Sequence, residues 1–206
     1  MKISGLQNTD PIVHFCYIQM ELCSKSLDQW LKEKSLRDTF ESINIFKQIV
    51  QGLAFMHKNN LVHRDIKPSN ILFAITGENS DHCVRITDFG LARIVDHFMT
   101  SVAGSPLYMA PESDTGFLDT KLDMYSAGLI LIELLSNCSE NVEGMLKNAK
   151  KGIFPKPFEE EVEFALPTVR NLLSEEPSVR HSSEGLLKII SKWVSIIIIL
   201  FFEISE

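Results

Sequence analysis

The 206-residue chain is acidic, with a formal net charge of −7 at pH 7, and 45% of its residues are hydrophobic. This composition excludes a disordered chain and is sufficient for a core in one large domain or two small ones. The acidic balance argues against a nucleic-acid-binding surface, which would need a basic stripe. Residues 1–10 lack the apolar core of a signal peptide. Reduced thiols and a cytoplasmic location are expected because no C-x-x-C pair or zinc spacing occurs among Cys16, Cys23, Cys83 and Cys138.

The first predicted elements are a strand and two helices. Residues 12–22, IVHFCYIQMEL, are rich in β-branched and aromatic residues and predict a strand. Residues 26–34 predict a short amphipathic helix. Thr39 is expected to be the N-cap of a helix of about twenty residues that ends at residues 58–60. The apolar positions of this helix recur at helical spacing: Phe40, Ile43, Phe46, Ile49, Val50, Leu53 and Met56.

The stretch LVHRDIKPSNILF, residues 61–73, contains the pattern H-R-D-x-K-x-x-N. The pattern is formed by His63, Arg64, Asp65, Lys67 and Asn70. A charged turn between two strands is the simplest alternative, but two further motifs follow in order. The stretch resembles the catalytic loop of protein kinases, in which the Asp accepts the proton of the substrate hydroxyl. The resemblance assigns that role to Asp65, contact with the transferred phosphoryl group to Lys67, and Mg²⁺ binding to Asn70.

A hairpin is predicted directly after this loop, with strands at residues 71–75 and 84–86 and a turn at residues 76–81. The triplet Asp88-Phe89-Gly90 follows and resembles the D-F-G motif of protein kinases. The resemblance implies that Asp88 binds a Mg²⁺ ion that bridges the nucleotide phosphates, and that Leu72 contacts the nucleotide. A β-turn aspartate is the structural alternative for Asp88.

A third motif, Ala110-Pro111-Glu112, resembles the A-P-E that closes a kinase activation segment. Residues 104–108, GSPLY, resemble the stretch that receives the substrate residue, with Ser105 where the family usually has Thr. A buried Glu112 needs a cationic partner, and Arg180 fits the distant arginine of the family. Two unrelated surface charges are the alternative.

The same resemblance implies a regulatory phosphate in this segment. Arg64, next to the catalytic Asp, would receive it through a charge-assisted hydrogen bond. Thr100 and Ser101 are the expected acceptors, and Ser105 is less suitable because its place is beside the substrate.

Four helices are predicted in the last part of the chain. Residues 121–135, KLDMYSAGLILIELL, are apolar nearly all round and predict a helix that is buried on every side. In the family, the equivalent of Asp123 accepts backbone N–H bonds from the catalytic loop. Three further helices are predicted at residues 141–150, 162–173 and 183–193.

The helix at residues 141–150 has two distinct faces. Its buried face is expected to contain Val142, Met145, Leu146 and Ala149, at helical spacing. Its exposed face would contain Glu143, Lys147 and Lys150. A solvated face is one interpretation. Substrate docking through Glu143 and Lys147 is the other, because the resembled kinases dock a folded substrate on this helix.

The apolar run at residues 194–202, VSIIIILFF, is too short to span a bilayer. A continuation of the last helix, a partner-binding end, an aggregation-prone tail and a sequence artefact all fit this pattern. Residues 194–206 are therefore assigned to a separate hydrophobic tail.

The resemblance from residue 12 to residue 193 is to the hinge and large lobe of a serine/threonine protein kinase. It implies an α+β fold that is mainly α, with residues 1–193 forming a partial kinase domain. Met20 would guard the back of the adenine pocket, and the backbone from Glu21 to Cys23 would contact adenine. Taken alone, the same stretch fits an ordinary edge strand. Lys67 follows the serine/threonine pattern.

Three short stretches, YIQMELC, YMAPES and KKGIFPKPF, most resemble the kinases of the α subunit of translation initiation factor two. The resemblance implies ATP and Mg²⁺ as cofactors and a protein substrate, namely that subunit. The 19 residues before Met20 contain no G-x-G-x-x-G and one lysine, Lys2, so most of the small lobe is expected to be missing. The chain is predicted to be a truncated serine/threonine kinase, with dimerisation through the missing lobe. A non-catalytic docking scaffold is the alternative.

Overall fold

The structure is a computed structural model, and side chains are described as far as Ser195. The described residues are 17–34, 36–75, 83–95, 103–116, 118–137 and 141–203. The predicted turn at residues 76–81 and the predicted phosphate acceptors Thr100 and Ser101 lie outside these ranges.

The described part is mainly helical, with seven α-helices and five short strands. The helices are α1 (Leu27–Glu33), α2 (Thr39–Lys58), α3 (Lys121–Leu135), α4 (Val142–Ala149), α5 (Lys156–Glu161), α6 (Leu166–Leu172) and α7 (Ser183–Glu203). The strands are β1 (Cys23–Ser26), β2 (Leu61–Val62), β3 (Ile71–Ala74), β4 (Cys83–Ile86) and β5 (Arg93–Ile94).

The core is built around α2 and α3. α3 has the predicted bounds, and every residue after Lys121 in this helix is buried. α2 packs against both α3 and α7. Of its predicted apolar positions, the six from Ile43 to Met56 are buried, whereas Phe40, in the first turn, is 41% exposed. The expected N-cap of α2 is displaced by one residue, because the Asp38 side chain accepts the Glu41 N–H at 2.7 Å and Thr39 is the first helical residue. A carboxylate is also favoured at a helix N-terminus by the helix dipole.

The strands form an antiparallel sheet in the order β1-β3-β4 and a separate antiparallel pair, β2-β5. The predicted hairpin is confirmed, with Ile71 opposite Ile86 and Ala74 opposite Cys83. The predicted strand at residues 12–22 is wrong for its described part, since residues 17–22 have no regular structure. Tyr17 is 91% exposed there, because no described strand offers these residues backbone partners or a surface to cover.

The predicted helix at residues 162–173 is two helices, α5 and α6. Val162 ends α5, and α6 begins at Leu166 with Pro167 in its first turn. Proline has no N–H to donate within a helix, so it favours the first turn and starts a new helix here.

The last helix, α7, continues well beyond the predicted end at residue 193 and reaches Glu203. The apolar run therefore continues the helix along the backbone. Across the described residues, no helix combines the length and the apolar character that crossing a membrane requires.

Candidate active site

The loop that contains Asp65 is anchored at both ends by strands. β2 leads into it and pairs with β5, and a 3₁₀ turn at Pro68–Asn70 leads out of it into β3. Arg64 has a φ of 71°, a left-handed conformation that turns the chain sharply between His63 and Asp65. A strained backbone of this kind must be stabilised by its surroundings.

The buried carboxylate of Asp123, at the start of α3, stabilises this turn. Its oxygens accept the backbone N–H groups of His63 and Arg64, both at 2.9 Å. The His57 ring, on α2, lies 3.0 Å from the same carboxylate. Asp123 is 1% exposed, and its hydrogen bonds compensate for the loss of water around the carboxylate. The structure thus places Asp123 where the sequence resemblance implied.

The Asp65 carboxylate is surrounded by four donors. Its Oδ1 accepts the N–H of Ser105 at 2.9 Å and the Ser105 hydroxyl at 2.8 Å. Its Oδ2 lies 2.7 Å from the Lys67 ammonium and accepts the Asn70 amide at 3.0 Å. The Lys67 ammonium also donates to the Ser105 hydroxyl at 2.7 Å, so Lys67, Ser105 and Asp65 form a closed ring of polar contacts.

These donors determine the protonation of Asp65. Burial opposes ionisation, but the hydrogen bonds from Lys67, Ser105 and Asn70 and the charge of Lys67 together outweigh it and lower the pKa of Asp65. The carboxylate is therefore ionised at neutral pH. An ionised carboxylate with fixed orientation is able to orient a hydroxyl group and receive its proton.

Asn70 and Asp88 provide oxygen atoms suited to a hard cation. Within the described part of the chain, the Asn70 side chain forms hydrogen bonds through its amide nitrogen, to the backbone carbonyl and the carboxylate of Asp65, and its carbonyl oxygen is suited to binding a cation. The Thr87 N–H donates to the Asn70 backbone carbonyl at 2.9 Å, which keeps Asp88 next to this loop. Asp88 is exposed and has a left-handed backbone with a φ of 64°. Amide and carboxylate oxygens are the ligands that Mg²⁺ prefers, so these two residues fit the ion.

Behind Asp88, the loop is supported by two ring contacts. The buried His63 ring lies 2.9 Å from the Thr87 carbonyl oxygen through its Nε2 atom. The same ring meets the Phe89 ring edge-on, with the ring centres 5.2 Å apart. Side chains from both motifs therefore contact each other directly.

Residues 103–112 approach the loop from the other side. Gly104 has a φ of 124°, and a Cβ atom there would lie 2.6 Å from the Arg64 carbonyl oxygen, so this position requires glycine. The Tyr108 hydroxyl donates to the buried carboxylate of Glu133 on α3 at 2.6 Å. Burial raises the pKa of Glu133 to about 7, because the hydrogen bond from Tyr108 only partly offsets the loss of water.

The segment ends in a buried ion pair. The guanidinium of Arg180 contacts both carboxylate oxygens of Glu112, at 2.5 and 2.8 Å, and its side chain is fully buried. This is the pairing that the sequence resemblance implied. The remaining donors reach the backbone carbonyls of Ser174, Lys121 and Glu175, and the guanidinium lies 4.8 Å from the centre of the Tyr125 ring.

The residues expected to bind adenine do not form an enclosed pocket among the described residues. Met20 is 73% exposed, and Glu21 forms an ion pair with Arg85 at 2.8 Å. Cys23 and Leu72 are half-buried on the adjacent strands β1 and β3. The structure therefore does not place Met20 at the back of a pocket. Residues 17–22 form no paired strand that would hold this side chain inward.

The predicted docking face of α4 is only partly as expected. Glu143 and Lys147 are exposed and form an ion pair at 2.6 Å. Lys150 does not belong to this exposed face, because it ends the helix and its ammonium donates to the carbonyls of Pro106 and Met109.

Sequence reasoning missed several contacts of this site. They are the Ser105 contact to Asp65, the Tyr108 contact to Glu133, and the contacts of Lys150 and His57. An isolated acid inside the apolar run of α3 was the available signal for Glu133, since a buried carboxylate requires a donor. The other contacts left no local pattern.

Comparison with known proteins agrees with this geometry. A model of the protein kinase domain matches residues 7–195. The rat interferon-induced, double-stranded RNA-activated protein kinase is 34% identical over 191 residues, which cover 87% of this chain and 36% of that protein. Eukaryotic translation initiation factor 2-alpha kinase 3 of Bos taurus is 32% identical over 209 residues, covering 91% of this chain and 18% of that protein.

The serine/threonine protein kinase OSK3 of Oryza sativa subsp. indica is 35% identical over 150 residues, which cover 68% of this chain and 28% of that protein. The chain spans about a third of the length of the rat and mouse interferon-induced, double-stranded RNA-activated protein kinases that it matches. The match of the domain model over most of the sequence shows that this chain belongs to the protein kinase domain family.

Proposed function

We propose that this chain contains the catalytic residues of a serine/threonine protein kinase, which transfers the γ-phosphoryl group of ATP to a protein hydroxyl. In this reaction an oxygen–phosphorus bond forms to the acceptor, the bond to ADP breaks, and Asp65 receives the hydroxyl proton. The supporting observation is the Asp65 carboxylate, which is oriented by Lys67 at 2.7 Å and by Asn70 at 3.0 Å. Serine/threonine kinases among the relatives support the choice of acceptor.

Lys67 has two functions in this proposal. Its ammonium lowers the pKa of Asp65, and it supplies a positive charge beside the carboxylate where charge is redistributed during transfer. Mg²⁺, held by Asn70 and Asp88, would neutralise charge on the nucleotide phosphates. The proposed nucleotide contacts remain the backbone from Glu21 to Cys23 and the Leu72 side chain.

We further propose that the described residues correspond to the hinge and large lobe, and that a complete enzyme also has a small lobe. Phosphoryl transfer depends on positioning and charge stabilisation, and a Gly-rich loop and third-strand lysine were not found in the sequence. The 206-residue chain alone should therefore transfer little phosphate.

This function is tested in a two-lobe protein in which a small lobe is joined to this chain, called the complete kinase domain below. In the complete domain, Asp65→Ala should lower turnover about 10²- to 10⁴-fold, as expected for loss of a positioned base. Asp28→Ala, at a half-buried surface position on α1 that pairs with Lys32, is the acidic control and should leave turnover unchanged. Turnover of Asp65→Ala equal to that of the control would exclude the proposed role.

The more specific proposal is a kinase of the α subunit of translation initiation factor two. It is supported by the identity to Bos taurus initiation factor 2-alpha kinase 3 and by the exposed face of α4. Docking there would use binding energy remote from the phosphorylated residue to position the hydroxyl. Glu143→Lys combined with Lys147→Glu should weaken binding of that subunit and leave phosphorylation of a short peptide unchanged.

The charge swap Asp28→Lys combined with Lys32→Glu, on the i, i+4 ion pair at the surface of α1, is the control for that experiment. If calorimetry finds the same affinity for the α subunit in both swapped proteins, the docking proposal is wrong. The proposed function would then be that of a serine/threonine kinase with no specified substrate.

A regulatory phosphate on Thr100 or Ser101 is also proposed. It is supported by the position of Arg64 next to Asp65 and close to the positive charge of Arg93. Burial and Arg93 lower the pKa of Arg64, whereas the charge of Asp123 raises it. A phosphate near the two arginines would be stabilised by their positive charge. Mass spectrometry of the active complete domain should find phosphate at one of the two positions. Full activity of a Thr100→Ala, Ser101→Ala double variant would count against the proposal.

A further inference from the structure

Lys150 connects α4 to the turn that contains Ser105. Its ammonium donates to the carbonyl oxygen of Pro106 at 3.3 Å and to that of Met109 at 3.0 Å. The ammonium also lies 5.6 Å from the centre of the Tyr125 ring on α3. One cation therefore holds two carbonyl groups three residues apart in the same turn.

Residues 105–109, the acceptor turn, are otherwise held by their own backbone and by α3. The N–H groups of Tyr108 and Met109 donate to the Ser105 carbonyl at 2.9 and 3.2 Å. The Ser126 hydroxyl donates to the Tyr108 carbonyl at 2.8 Å. Lys150, at the end of α4, connects the acceptor turn to the helix with the proposed docking face. The first residue of the acceptor turn, Ser105, contacts Asp65.

The environment of Lys150 differs from that of the other lysines nearby. Lys147 is 63% exposed and pairs with Glu143, and Lys151 is exposed. Lys150 is half-buried, and burial lowers its pKa. Among the described residues no carboxylate forms an ion pair with it. An ammonium that is partly removed from water must be compensated by its acceptors, and among the described residues these are the two carbonyls of the acceptor turn.

We propose that Lys150 is a positioning residue that couples α4 to the acceptor turn, so that the placement of this turn beside Asp65 depends on the Lys150 ammonium. The inference rests on the proposed function, because the turn affects turnover only if Asp65 is the catalytic carboxylate. Lys150 acts through Pro106 and Met109 and needs no contact with the substrate.

The first test measures amide hydrogen exchange in the 206-residue chain. Lys150→Met removes two hydrogen bonds, so exchange of the Tyr108 and Met109 amides should rise about tenfold or more. Lys150→Arg keeps a cation and should restore slow exchange. Lys151→Met is the matched control and should leave both amides as in the wild type. Equal exchange in Lys150→Met and Lys151→Met, or an equal rise throughout α4, would overturn the inference.

The second test uses the complete kinase domain and a short serine peptide. Lys150→Met should raise the KM for the peptide about three- to tenfold while the KM for ATP stays unchanged, and Lys150→Arg should recover most of the loss. A lower folded fraction would change neither KM. Transfer that does not depend on Asp65 would refute the proposed function. Asp65-dependent transfer with equal peptide KM values in Lys150→Met and Lys151→Met would refute this inference alone.

Discussion

Neutralising Glu112 should destabilise the protein strongly, because its partner has no access to water. The Arg180 side chain is fully buried, and the Glu112 side chain is 16% exposed. In Glu112→Gln, the guanidinium keeps backbone acceptors from Ser174, Lys121 and Glu175 but loses the only carboxylate that the structure places against it among the described residues. Removing one partner of a buried pair costs about 3–5 kcal/mol, which is a large part of the stability of a typical domain.

Urea unfolding followed by tryptophan fluorescence measures this cost, since Trp30 and Trp193 are both buried. Asp28→Asn is the matched control, because Asp28 pairs with Lys32 on the surface of α1 and its loss should cost less than about 0.5 kcal/mol. Adding Arg180→Met to Glu112→Gln should recover part of the loss by removing the unpaired charge. A cost for Glu112→Gln no larger than that of the control would refute the reasoning.

Two further predictions concern α3 and the glycine beside Arg64. Burial raises the pKa of Glu133 from 4.5 to about 7, so the folded protein binds more protons between these values, and stability should fall as pH rises through that range. The full loss in the free energy of unfolding is about 3 kcal/mol between pH 4.5 and pH 8. Urea unfolding at these two pH values should show that Glu133→Gln abolishes it. The same dependence of unfolding free energy on pH in Glu133→Gln and the wild type would contradict the prediction. Gly104→Ala should lower the free energy of unfolding by about 2–3 kcal/mol, because it adds a clash with the Arg64 carbonyl to a strained φ. Gly152→Ala has a positive φ but open space, so it should cost about 1 kcal/mol, and equal costs in thermal unfolding would argue against the clash.

The helices of the core were predictable because their apolar residues recur at helical spacing. α3 has the bounds predicted from its apolar sequence, residues 121–135. It is buried on all sides, as expected for a helix that is apolar nearly all round. The split between α5 and α6 had a signal in Pro167, but a continuous apolar pattern across residues 162–173 concealed it. The stretch at residues 17–22 has strand-forming side chains, yet a strand also needs a partner, which composition does not specify.

The candidate site was predictable as far as its motifs extend. The family resemblance implied the Asp123 contact with the loop and the pairing of Glu112 with Arg180, although each joins residues far apart in the chain. The contacts of Ser105 and Lys150 were not foreseen. They depend on where a turn without periodicity approaches α4 and the catalytic loop, and only the folded structure shows that approach.

The most direct test of the central claim is a single-turnover measurement of phosphoryl transfer by the complete kinase domain with Asp65→Asn. Asparagine keeps the shape of the side chain but cannot receive the hydroxyl proton, so the rate of transfer to a serine peptide should fall about 10²- to 10⁴-fold. ATP affinity should stay within a factor of about two, because Asn70 and Asp88 are unchanged. A transfer rate within about threefold of the wild type would contradict the assignment of Asp65 as the catalytic carboxylate.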